Sequence, residues 1–524
     1  MPDSSPSPAA AKVHHDGPEQ LEPQRLVAIF LAVSAVLFLA SLGQTVVTTA
    51  LPVILADLGG MDQITWVITA YLMAATVGAP VFGKMGDLFG RKIMMQIGIG
   101  IFLTGSVLCA LAPELWVLVG GRFVQGFGGG GLIVSSMATV ADNVSPRERG
   151  RYQGILGSVF GLSTVVGPLA GGFIVQHFDW QWIFLINVPL GLAALTVLTL
   201  AIRHSPRRPN VTIDYAGAAG LIVLLSLTVM TASLGGSVLE WSDPLMIGLI
   251  AAALVALVVF VTIERRARDA ILPLELFRIN NFVVSNSVGM IVGVTMFGTI
   301  TFVPFFMQVV KGMTPAASGL FVFPMMAGLI GASTLAGQVM ARTGRYRLLP
   351  ILSTMILVVG LVSMAMTDAH TPNWRVAVTM LVVGLGIGPT MGVGVTAIQN
   401  AVPRHMIGIG TASANMFRLI GGSVGTAAFG AIFAAGLQRH LGGALEGANP
   451  RGLTKDMIAA MDPAMQEVVT AGIAAALHPV FWIACVMACV ACAISFMMVE
   501  LPLQDRAPSA PAPKPSTPQA QPAE

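Results

Sequence analysis

Residues 83–92 read GKMGDLFGRK, and residues 337–346 read GQVMARTGRY. Gly83, Gly90 and Arg91 of the first stretch fall on Gly337, Gly344 and Arg345 of the second at a constant offset of 254 residues, whereas Asp87 falls on Ala341. A polar stretch that recurs once, glycines and arginine in register, marks a chain built of two related halves. The glycines permit sharp turns and close backbone approach. Asp87 is an anion among cations, suited to pairing with Arg91 at the surface or to capping a helix N-terminus.

Long apolar runs flank both copies: Ile64–Phe82 and Ile93–Leu111 enclose the first, Ala316–Met340 and Leu348–Met366 the second. The same reading gives Leu26–Leu51, Leu115–Val140, Tyr152–Val175 and Trp182–Ile202 in the first half. Tyr215–Leu234 and Pro244–Ile263 follow, then Phe282–Val310, Val376–Ile398, Ile407–Ala435 and Pro479–Val499, fourteen in all. Crossing a hydrocarbon core of roughly 30 Å takes about 20 mostly apolar residues. Composition agrees, with 55% of the 524 residues hydrophobic and 10% charged, against roughly 25% charged in an ordinary soluble chain. Continuous runs, not short alternating strands, predict helices, which pair every backbone polar group within the segment.

Charge orients the chain. Of the 28 Lys and Arg, 21 fall on the side that holds both chain ends, five on the other, and two, Arg122 and Arg418, within spans. The bias predicts cytoplasmic termini in a bacterial inner membrane. The first apolar run is too long for a signal-peptide core, so no cleaved signal is expected. A net charge of +3 belongs to the inside loops and implies no nucleic-acid partner. All four cysteines lie in predicted spans and no histidine falls at a span centre, which argues against disulfides, a metal site or haem. With no GxxxxGK[ST] phosphate loop, and no His/Asp/Glu cluster at a span centre, neither an ATP-driven pump nor an enzyme is expected, and no cofactor.

Two further motifs lie in spans. LVGGRFVQGFGGGG (118–131) holds Arg122 and Gln125; an arginine there costs roughly 2.5–3.5 kcal/mol on insertion scales, so it either moves charge or ties helices through backbone carbonyls. GLSTVVGPLAGG (161–172) offers Gly167, Pro168 and Gly171 for a bent, closely packed helix able to seal one side of a cavity.

The loop 83–92 resembles the GxLaDrxGrkxxl signature of the major facilitator superfamily, and the other two stretches resemble that family's second motif and its antiporter motif. Fourteen spans, with LGQTVVTTALP (42–52), FLINVPLG (184–191) and NMFRLIGGSVGTA (415–427), resemble the EmrB/QacA type of drug:proton antiporter. The resemblance implies an all-α membrane protein of two six-helix bundles, 25–203 and 279–500, with two additional helices and linkers at 204–278. Residues 1–24 and 501–524 read as disordered cytoplasmic tails, and 436–478 as an outer loop whose Lys455–Ala476 pattern predicts an amphipathic surface helix. The resemblance further implies multidrug efflux by alternating access, driven by the proton gradient, with Arg122 in proton transfer and Asp87, Arg91, Gly83 and Gly90 in a network that stabilises the outward-facing state. A monomer in the bilayer is expected, with room for an accessory periplasmic partner.

One departure matters. The family's span-one Asp is Gly43 here, and no other span centre carries Asp or Glu. Either a span-end acid such as Asp57 or Asp142 carries the proton, or another ion couples, or the substrate is not cationic. Polar candidates for a substrate cavity are Gln44, Thr45, Thr48, Gln125, Asn187, Gln308, Asn415 and Arg418, each equally able to bond between helices. The alternative function is export of a physiological solute such as a lipid, fatty acid or metabolite.

Overall fold

A computed structural model describes residues 23–58, 64–202, 214–235, 239–267, 269–441 and 461–503. The expected tails fall almost wholly outside the described residues, as do residues 203–213 of the expected linker and residues 442–460 of the expected outer loop. Helices α1 (Pro23–Thr45), α2 (Leu51–Leu58), α3 (Ile64–Phe89), α4 (Arg91–Ala110), α5 (Leu115–Asn143) and α6 (Pro146–His177) come first. Next are α7 (Trp182–Leu185), α8 (Asn187–Ala201), α9 (Tyr215–Leu234) and α10 (Pro244–Glu264). The remainder are α11 (Asn280–Val309), α12 (Pro315–Gly319), α13 (Val322–Thr343), α14 (Leu348–Ala365), α15 (Asn373–Ala401), α16 (Ile407–Leu441) and α17 (Pro463–Ser495). Among the described residues, 14 helices are long and apolar enough to cross a membrane. Sequence and structure agree on that number.

In the first half α5 is the hub, packed on α3, α4 and α1. In the second, α15 packs on α13 and α14, and α11 on α16 and α17. The halves meet where α3 crosses α16 and where α6 crosses α13 and α15. Helix α9 touches both α3 and α16, with α10 packed on α9, so this pair sits at the seam between halves. Leu221, Leu225 and Phe260 join Val77, Ala412 and Met416 in one buried apolar cluster there.

The two motif copies share backbone geometry. Gly90 and Gly344 have φ of 95° and 69°, a region that favours glycine. Each turn redirects the chain after a crossing helix. A Cβ at Gly83 would lie 2.7 Å from Ala412 Cβ and 2.8 Å from the Gly408 carbonyl, and one at Gly337 would strike the Gly150 carbonyl. The repeated glycine therefore marks the tight crossing in both halves.

Three expectations need correction. The first span is broken: α1 stops at Thr45, a 3-10 turn covers Val46–Thr49, and α2 resumes at Leu51. Residues 436–441 and 463–478 do not form an outer loop with a separate surface helix; they prolong α16 and α17. Polar side chains such as Gln466 and Glu467 break the apolar pattern there, yet the two extensions cover each other, with a Cβ at Gly436 reaching 3.0 Å from Ala476. Because α17 starts at Pro463, His478 lies inside a helix, not in a loop. Its ring nitrogen sits 3.0 Å from the Thr367 carbonyl, level with the end of α14.

Candidate functional site

The end of the molecule that carries Asp87 and Arg91 is closed across the seam. Asp87, on the last turn of α3, accepts from the backbone N–H groups of Gly408 and Ile409 at 3.0 and 3.2 Å, at the start of α16. A carboxylate held by a helix N-terminus is favoured by both the free N–H groups and the dipole. Arg91 donates to the same carboxylate, to Asp142 Oδ2 at 2.8 Å and to the Gly83 carbonyl at 3.2 Å. Asp87 and Arg91 are buried and Asp142 is about a third exposed (36%). The cap and the Arg91 pair thus coexist in one network.

The second motif copy closes the opposite crossing with reversed polarity. Ala341 has no carboxylate to offer, but its carbonyl at the end of α13 accepts from Arg147 Nε at 2.8 Å, and the Arg342 carbonyl accepts from Arg147 Nη2 at 3.1 Å. A helix C-terminus presents carbonyls and favours a cation. The repeat can therefore lose its Asp, because the partner across the seam supplies an Arg. Nearer the centre Arg149 Nη1 reaches the Gln399 carbonyl at 3.4 Å, and Ser158 and Thr334 hydroxyls lie 3.1 Å apart.

Away from this closed end a cavity of about 720 Å³ lies between the halves. Gln44, Thr45, Tyr71 and Arg122 line it from the first half, and Phe297, Phe302, Phe305 and Phe433 from the second. Thr164, Thr301 and Thr426 add hydroxyls, and among the described residues no Asp or Glu lines it. Its far part is walled by Leu437 and Ile473, at the paired extensions of α16 and α17.

Arg122 is fully buried beside this cavity. Nη1 donates to the Gly43 carbonyl at 2.9 Å and to Gln125 Oε1 at 2.6 Å, and the guanidinium lies 4.2 Å from the centroid of the Tyr71 ring. Gln125 passes the chain on, donating to Ser106 Oγ at 2.7 Å, and Tyr71 donates to the Ala40 carbonyl at 2.9 Å. In low dielectric such a network stands in for the water an arginine loses. Just after Gly43 and Gln44, which stand in the last turn of α1, comes the break. It is held by α6: side chains at Gly167 and Gly171 would run into Thr45 Oγ1 and the Val46 carbonyl. Thr45 donates to the Ser163 carbonyl at 3.1 Å and Thr49 to the Pro168 carbonyl at 3.3 Å.

Comparison with known proteins fits this architecture. The family model "Major Facilitator Superfamily" matches residues 33–426. An uncharacterized MFS-type transporter of Mycobacterium tuberculosis is 38% identical over 505 residues, covering 96% of this chain and 73% of the relative. The multidrug transporter protein MdtP of Bacillus subtilis is 35% identical over 401 residues, covering 76% of this chain and 74% of the relative. Among solved structures, the proton:xylose symporter XylE aligns with a TM-score of 0.60 at 13% identity, over 90% of this chain and 95% of that one, a likeness of fold. The chain belongs to the major facilitator superfamily.

Within this superfamily member the remaining candidates divide. Gln44 and Thr45 line the cavity; the Thr48 side chain lies outside the described residues. Gln125 is buried behind Arg122, and Gln308 donates to Ser318 Oγ at 2.9 Å, tying α11 to α12. Asn187, the first residue of α8, is wholly buried, with neither amide atom partnered among the described residues. Asn415 and Arg418 bond each other at 2.5 Å and stand outside the cavity lining, with Phe160 5.9 Å from the guanidinium. So five of the eight expected cavity residues do not line it: span position alone does not tell which way a helix face points. The aromatic wall was missed for the opposite reason, since phenylalanines in spans read as packing. At Gly43 the structure explains the missing carboxylate: a Cβ there would lie 2.5 Å from Phe102 Cζ, so a ring fills the space. Of the span-end acids, Asp57 accepts from Trp180 Nε1 at 2.8 Å and Asp142 from Arg91.

Proposed function

We propose that this transporter is a secondary active exporter of small lipophilic and amphipathic compounds, working by alternating access with the proton gradient as its energy source. The observation that carries the reading is the 720 Å³ cavity, lined by aromatic rings with hydroxyls interspersed and shut at the end where Asp87 caps α16. Its volume lies within the roughly 300–1,000 Å³ of small-molecule sites, and its Phe side chains supply apolar surface for varied ligands. The name of the Bacillus relative, a multidrug transporter, supports the same class.

In this reading the cation-rich end faces the cytoplasm of a bacterial cell, with both termini inside, and the arrangement described is the outward-open member of the cycle. One chain in the bilayer is the working unit. Since no acid among the described residues lines the cavity, the coupling proton belongs to a span-end carboxylate. Asp142 is the candidate because Arg91 links it to the Asp87 cap, so neutralising it loosens the closed end. A second reading, export of a physiological solute such as a fatty acid or lipid, is favoured by one observation: among the described residues, Arg122 is the only charged one that lines the cavity.

The test uses everted vesicles carrying the full chain, energised and loaded with a pH-sensitive dye, and panels of cationic, neutral and anionic amphiphiles. Export by proton antiport predicts dye recovery on adding substrate, lost in Asp142→Asn. Recovery with neutral or anionic compounds alone favours the physiological solute; no response to any class removes proton antiport.

A further inference from the structure

Arg418 sits on α16 behind the wall of the main cavity and lines a second, small cavity of about 20 Å³ between α11, α15 and α16. Ser285, Gly289, Thr390 and Gly394 complete most of that lining. The site is rich in donors. Arg418 is 6% exposed, and the ion pairs among the described residues, Arg91 with Asp87 and with Asp142, leave it without a carboxylate. The hydrogen bond described for its guanidinium is Nη2 to Asn415 Oδ1. That bond fixes the amide, because the flipped orientation would set two donors against each other. Asn415 Nδ2, outside the lining of the small cavity, is therefore left as a buried donor with no acceptor among the described residues. Ser285, also 6% exposed, lines the small cavity with an unpartnered Oγ.

We infer that this cavity is a binding site for a small monovalent anion, either a free halide or the carboxylate head of a transported amphiphile. A buried cation with no carboxylate beside it is costly in a membrane interior, and two groups with hydrogens to donate, the Arg418 guanidinium and the Ser285 hydroxyl, line a space that takes a water-sized particle. The thin glycine surfaces of Gly289 and Gly394 give the anion room beside the guanidinium. The halide arm of this inference stands whether or not the chain exports drugs.

The experiment measures equilibrium binding of radiolabelled chloride and, separately, of radiolabelled octanoate to the purified full chain in nanodiscs. Saturable chloride binding that weakens by about tenfold or more in Arg418→Gln, and is largely kept in Arg418→Lys, assigns the site to a free halide. Octanoate binding with that dependence, without chloride binding, assigns it to a substrate carboxylate. Should Arg418→Gln fail to fold, Ser285→Ala decides, expected to weaken the bound anion severalfold. Binding of neither anion to the unmodified chain, or binding indifferent to Arg418→Gln or Ser285→Ala, overturns the site. Because binding needs no proton gradient, its failure is distinct from failure of the vesicle test.

Discussion

Arg122 and Arg418 are the two arginines that fall within the spans read from the sequence, and the chain treats them in opposite ways. Arg122 is the better partnered: it donates to the Gly43 carbonyl, to Gln125 Oε1 and, at 3.5 Å, to the Val67 carbonyl, and an aromatic face covers it. Arg418 holds a single amide oxygen and keeps donors over beside a small cavity. The desolvation cost of an arginine in a span is the same argument for both. What differs is how the protein meets it, one from within its own backbone and one, by our inference, from a bound anion. A buried charge alone is no guide to function until its partners are counted.

The contrast breaks first, and most visibly, on paired substitutions. Arg122→Leu strands the Gly43 carbonyl and the Gln125 amide and is expected to cost about 2–4 kcal/mol, while Arg418→Leu strands only Asn415 and stays within about 1 kcal/mol of the parent. Thermal midpoints from fluorescence-detected size-exclusion chromatography should fall several degrees for the first and little for the second; equal losses would end the distinction. Next in size is Gly171→Val, which forces α6 away from the Val46 carbonyl and carries the α1 break, with its Gly43 acceptor, off Arg122. A loss of about 1–3 kcal/mol is expected from such overpacking, and export should fall with it; an unchanged midpoint would mean the break is not held by this contact. The smallest effect sharpens the Arg122 side. Gly43→Asp drives a carboxylate against the Phe102 ring and should lower the midpoint, whereas adding Phe102→Leu should restore it. If the single variant is already as stable as the parent, the ring is not what keeps the acid out.

Much of the fold was legible because membrane crossing constrains length and polarity strongly. The fourteen runs and the two-fold repeat needed no tertiary knowledge. Where reading failed, tertiary contacts had overruled the local pattern. Pro479 and the polar residues before it look like a loop entering a span, but the extensions of α16 and α17 bury one another and stay helical. The break after Thr45 carries no charge, and its one signal is Pro52, which cannot bond back to the residue 48 carbonyl yet sits inside an unbroken apolar run; α6 accommodates it by presenting Gly167 and Gly171. Asp87 was readable as a cap since a helix start near Ile407 could be placed on the same side. Its counterpart was not, because Arg147 answers a carbonyl of Ala341, and a backbone acceptor leaves no trace in residue type.

The central claim is that the cavity between the halves opens away from the cations and that the Asp87 cap on α16 keeps it so. The direct measurement places a single cysteine at Ala434, in the cavity lining, in a chain whose own four cysteines are replaced, and follows reaction with a membrane-impermeant maleimide in right-side-out and everted vesicles. The account predicts rapid reaction from the outer face and a clear slowing there when Asp87→Asn removes the charge that caps α16. Reaction from the cytoplasmic face alone, or an outer rate indifferent to Asp87→Asn, would contradict it.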